Sequence, residues 1–176
     1  MKKMLLTALF GILLLTAGCL FAPYRDTECF DLDLKPAAKK PVRIEAYEFQ
    51  NLSGAGSLMQ VKESGGLILN DPDRRWLLPP GELVPHAINL KQDRTADAKV
   101  VQVTGAIEIF QVDRVKRAFV FAGWWQLRTE LNAPKHFFQI EVPMSPEHPD
   151  GAAAARAASE ALEQLLNAML KSAGEK

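Results

Sequence analysis

Cysteine and histidine are scarce in this chain of 176 residues: two cysteines, Cys19 and Cys29, and three histidines, His86, His136 and His148. The histidines stand far apart without ligand spacing, and one leftover cysteine cannot complete their set, so no metal site is expected. Charge of one sign is missing as well. Lys and Arg number 21 against 21 Asp and Glu, a balance with no basic field to attract nucleic acid. Glycine falls into no GxGxxG or P-loop arrangement, and neither GxSxG nor HExxH occurs. Ser145 and His148 are neighbours only within the proline-rich run Pro143–Asp150, a poor frame for an activated nucleophile. The carboxylate pairs Asp31/Asp33 and Asp71/Asp73 read as a solvated strand face and a turn. Nothing calls for a cofactor, and the chain is read as a binding protein and not an enzyme.

Long apolar runs are limited to one. Met4 to Thr16 follow Lys2 and Lys3 and end in Leu15-Thr16-Ala17-Gly18-Cys19. A positive start, about a dozen apolar residues and small residues at the end are the parts of a secretory signal. The run is too short to cross roughly 30 Å of hydrocarbon with margin. Its ending resembles the bacterial lipobox, with Leu15 and Ala17-Gly18-Cys19 on the pattern. The resemblance implies cleavage after residue 18 and acylation of Cys19; the alternative is a plain signal peptide with a coincidental cysteine. Each buried methylene contributes about 0.8 kcal/mol, so two or three acyl chains anchor a protein firmly. The expected organisation is a leader over 1–18, a lipidated tether over 19–26 and one domain over 27–176. After cleavage 19 basic residues face 21 acidic ones, and the remaining length suits a single domain with its own core. With Cys19 acylated, Cys29 has no partner in the chain. It is expected to be buried, with an intermolecular disulfide as the alternative. Leu20, directly after the lipobox, favours the outer membrane under the sorting rule of enteric bacteria.

Beyond the tether, period-two alternation dominates the chain. Glu28 to Leu34 place Phe30, Leu32 and Leu34 on one side, and Val42 to Gln50 place Val42, Ile44 and Ala46 on one side. Leu58–Val61 and Leu67–Leu69 predict a hairpin around Glu63-Ser64-Gly65-Gly66, and Asp71-Pro72-Asp73 is expected to close that run. A short helix is expected over Gly81–Lys91, with Pro85 fitting only a first turn. Lys99 to Asp113 give the firmest strand, with Val101, Val103, Ile107 and Ile109 on one face. Ala118 to Arg128 answer with Phe119, Phe121, Trp125 and Leu127, and Lys135 to Val142 add Phe138, Ile140 and Val142. These three predict an antiparallel meander. Asp150 or Gly151 would cap an alanine-rich helix from Ala152 to Lys171. Its stripe of Ala158, Leu162, Leu165, Leu166, Met169 and Leu170 is suited to the apolar face of the meander. The fold class is therefore α+β: a two-layer domain, an antiparallel sheet packed by the C-terminal helix and the short middle one.

Adjacent Trp124 and Trp125 must point to opposite faces of their strand. The favoured reading covers both, one by the helical layer and one by the long early segment; an exposed one would be a partner or lipid anchor. Trp76, Trp124 and the connection carrying Arg114 and Lys116 are the residues assigned to partner binding.

The order of these elements, together with Arg75-Trp76 before Pro79-Pro80 and the strand motif Glu108-Ile109-Phe110, resembles the auxiliary lipoproteins of ABC-type transporters. That family includes the lipoprotein encoded beside paraquat-inducible, MCE-domain lipid-transport proteins. The resemblance implies an accessory role without catalytic residues. The protein would be anchored at the outer membrane, facing the periplasm, and would dock with an MCE-domain protein and its ABC transporter components. It also implies self-association into rings. Three alternatives stand beside it. One is a lipoprotein that activates or stabilises another envelope machine, such as a cell-wall synthase. The second is a hydrolase, which would need a cleft of convergent polar groups. The third is direct lipid carriage in a cavity.

Overall fold

Residues 26–34, 41–91, 98–128, 133–144 and 151–174 are described by a computed structural model. The leader, Cys19, the tether to residue 25, Ser145, His148 and Asp150 lie outside the described residues. No helix among the described residues is long and apolar enough to cross a membrane.

The valine- and isoleucine-rich stretch Lys99–Asp113 forms β5, the axis of a seven-stranded sheet. On one side β6 (Ala118–Leu127) and β7 (His136–Pro143) follow it antiparallel, so that Phe110 stands opposite Phe121 and Phe121 opposite Ile140. This is the expected meander. Its other side differs from a purely antiparallel sheet. Two strands share the far edge of β5 end to end, both parallel to it: β2 (Val42–Asn51) along Lys99–Ile107 and β3 (Leu58–Lys62) along Gln111–Asp113. Strand β4 (Ile68–Trp76) returns antiparallel to β3, and β1 (Glu28–Phe30) lies parallel to β4 at the edge. The sheet is mixed, and the fold is α+β.

The hairpin between β3 and β4 turns where expected, through a short 3-10 segment at Ser64–Gly66. Gly65 and Gly66 take φ of 80° and 83°, angles that cost an L side chain strain. Asp71-Pro72-Asp73 does not close the run. It lies inside β4 as a wide bulge, because Leu58 pairs with Arg75 while Gln60 pairs with Asn70. Asp71 Oδ1 accepts the Asp73 amide at 2.9 Å, which holds the bulge in an Asx turn.

Two single-residue bulges reset the alternation. One between Ala46 and Glu48 turns Tyr47 outward and Phe49 inward. The other, between Ile107 and Ile109, overturns the expected inward position of Ile109. Phe110 and Val112 face the core instead. Gly105, with no side chain on the inner face, leaves the place where the Phe49 ring lies; a Cβ there would stand 2.7 Å from Phe49 Cε1.

Helix α1 (Pro80–Lys91) starts with Pro80, where a missing N–H is harmless. Pro85 is inside this helix and not in its first turn, so the single lost bond is tolerated by burial of Leu83, Val84, Ala87 and Ile88. Helix α1 packs on β2 and covers its free edge. The Asn89 carboxamide accepts from the Ala46 amide at 2.9 Å and donates to the Ala46 carbonyl at 2.8 Å. It thus replaces a missing strand partner. Helix α2 (Gly151–Gly174) lays Ala158, Leu162, Leu165, Leu166 and Met169 against the inner sheet face as expected. Between the layers an edge-to-face series links Trp76, Phe110, Phe119, Phe121 and Phe138, with ring centroids 4.8–6.0 Å apart.

Candidate interaction surface

The residues assigned to partner binding part company in the folded chain. Trp76 is 1% exposed, wedged edge-on against Phe110 and Phe119. It is a core residue and offers no surface, which corrects its assignment to partner binding. Cys29 also reverses expectation, being exposed on β1.

Trp124 is on the outer face of the sheet and half-buried, while its neighbour Trp125 is buried on the inner face, stacked on His136 with centroids 4.2 Å apart. Lys135 Nζ stands 3.9 Å over the Trp124 ring. Phe137, directly opposite Trp124 in the β6–β7 register, is 74% exposed. Four residues along the same side from Trp124, Arg128 covers the exposed Tyr47 ring at 3.7 Å. The outer face therefore carries two aromatic–cation pairs and a bare phenylalanine, the residue types that anchor protein contacts. Phe137, Tyr47 and Lys135 were missed in the sequence. The Phe137-Phe138 doublet was a usable signal, since a strand turns only one of the two inward.

Arg114 and Lys116 share the turn between β5 and β6, both exposed. Trp124 lies six residues along β6 from Ala118 at that turn, roughly 20 Å at the usual rise, so the structure does not bring it together with them. The turn is held by Asp113, whose Oδ1 accepts the Val115 and Lys116 amides at 3.0 and 2.9 Å and whose Oδ2 meets Lys62 Nζ at 3.3 Å. Burial pushes the Asp113 carboxyl up, but the Lys116 amide, the Lys62 ammonium and the Val115 amide outweigh it and hold it below its ordinary value. Arg114 pairs with Glu63, and Lys116 with Glu141. The Lys116 partner lowers the Glu141 carboxyl below its ordinary value, and Glu141 in turn raises the Lys116 ammonium. Arg117 takes φ of 53°, the one non-glycine residue at positive φ among the described residues.

Arg74 lies between Asp71, at 3.3 Å, and Glu28, at 3.5 Å. No three His, Cys, Asp or Glu side chains among the described residues converge on a metal-sized point. An open groove of about 610 Å³ runs between the Asp31–Asp33 segment and the Arg156, Ser159 and Glu163 side of α2.

No family model matches the chain, and no curated protein matches it. Solved structures that share its fold include the following two. One, described only as an uncharacterized protein, superposes with a TM-score of 0.63 at 13% identity, covering 84% of this chain and 98% of its own. The other is protein XCC0632 from Xanthomonas campestris, described as a DUF330 protein. It superposes with a TM-score of 0.56 at 13% identity, covering 82% of this chain and 92% of its own. At such identity the likeness is one of fold.

Proposed function

We propose that this chain is a non-catalytic accessory lipoprotein of an ABC/MCE-type system that moves lipids or other hydrophobic molecules between membranes. Anchored through Cys19 at the outer membrane and facing the periplasm, it would act by docking. The observation that carries this reading is a conjunction: a lipobox in the sequence, and behind it a fold that spans 92% of a DUF330 protein. The chemistry of the described domain supports docking over catalysis. Asp71, Asp113 and Glu141 are each spent on a turn or an ion pair, and His136 is stacked on Trp125. The outer-face aromatics supply a surface of the kind that docking needs. Photo-crosslinking from position 137 in intact cells tests it. An adduct with an MCE-domain protein supports the reading, whereas an adduct with a cell-wall synthase alone would replace it.

A further inference from the structure

The turn after β3 and the turn after β5 lie side by side at one end of the sheet. The Arg114 amide donates to the Lys62 carbonyl at 3.0 Å, and the Arg114 guanidinium pairs with Glu63. This end carries four apolar side chains turned to solvent: Leu67, Ile68 and Leu69 at 57%, 50% and 47% exposure, and Val115 at 65%. Exposed Arg117 flanks them, next to Arg114 and Lys116, whose charges are matched by Glu63 and Glu141. Exposed apolar side chains at the end of a sheet, with a cation beside them, suit a bilayer interface, with hydrocarbon at the acyl boundary and the cation among phosphates. Arg117 adds to this, since a turn at φ of 53° is easier for glycine and yet holds a cation.

The path of the chain indicates which bilayer. Strand β1 runs parallel to β4, away from the turns, so the chain enters β1 from their side. Cys29 is level with Arg75, and Arg75 with Leu58. From Leu58 to Lys62, where the first turn begins, is about 13 Å. Six residues separate Cys19 from Asp26, a span of at most about 25 Å. An acylated Cys19 therefore holds this end of the sheet close to its own membrane.

We propose that Leu67, Ile68, Leu69 and Val115 form a membrane-contact tip that rests in the interface of the bilayer anchoring Cys19. The proposal rests on the lipoprotein reading. It points the opposite end of β5, some 15 residues away at Lys99, toward the periplasm.

The test uses the full chain, purified with its N-terminal modification and reconstituted into phosphatidylcholine–phosphatidylglycerol vesicles. In a Cys29→Ser background, a polarity-sensitive dye is attached at Ile68→Cys, Val115→Cys or Val100→Cys. The expected result is blue-shifted emission at 68 and 115, quenched by brominated acyl chains, and water-like unquenched emission at 100. Water-like emission at 68 and 115 on vesicle-bound, acylated protein would overturn the tip and leave the lipoprotein reading standing. Disulfide cross-linking between copies through position 68 would assign the tip to a second copy instead, and also overturn it. An N-terminal peptide mass showing unmodified Cys19 would remove both.

Discussion

Lys62 and Asp113 face each other in the parallel register of β3 and β5, Nζ 3.3 Å from Oδ2. Asp113 is 2% exposed and also accepts two amides of the next turn. A carboxylate held below its unfolded pKa contributes stability above that pKa and loses it as pH falls through the folded value. For Asp113 the window lies below about pH 4. Urea unfolding of Asp113→Asn should therefore show a deficit at pH 7 that shrinks as the pH is lowered toward 3. Asp113→Ala should cost about 1–3 kcal/mol at pH 7, since it leaves two amides without an acceptor.

Asn89 replaces a strand partner for Ala46. Asn89→Ala should lower stability by about 1–2 kcal/mol and uncover the edge of β2. Denaturant midpoints report the first effect. Light scattering on gentle heating reports the second, with Leu90→Ala, an exposed position on the same helix, as the unaffected control.

Trp76 stands at one end of the aromatic series, edge-on to Phe110 and Phe119, and its indole N–H meets no acceptor among the described residues. Trp76→Ala should cost about 3–5 kcal/mol through the cavity it leaves. Trp76→Phe should cost less than half as much, because no hydrogen bond is lost. Equal costs in thermal unfolding would contradict the packing described.

Arg117 sits at a backbone angle that suits glycine. Arg117→Gly should leave the melting temperature unchanged or raise it by a few degrees, the relief of about 1 kcal/mol of strain being partly offset by chain entropy. A lower melting temperature would show that its side chain holds the turn.

The meander and the C-terminal helix were legible because their residues repeat at fixed periods: Phe119, Phe121 and Trp125 by twos, Leu162, Leu165, Leu166 and Met169 by helical turns. The bulge at Ile107–Ile109 was not, since one inserted residue flips every later side chain and leaves no mark in composition. The parallel pairing of β2 and β3 along β5 joins residues about 50 apart, and nothing local encodes it. Trp76 was misplaced for a related reason. Its partners Phe110 and Phe119 lie far along the chain, so its burial depends on topology. Of the residues assigned to partner binding, Trp124 was legible as outward-facing only because Trp125 had to be inward.

Co-purification tests the central claim most directly. The lipidated chain with a C-terminal tag, and its Trp124→Ala variant, are recovered from detergent-solubilised envelopes. The account predicts an MCE-domain protein with its ABC partners on the unaltered chain, and reduced recovery with the variant. A cell-wall synthase on both, with no transporter component on either, would contradict it.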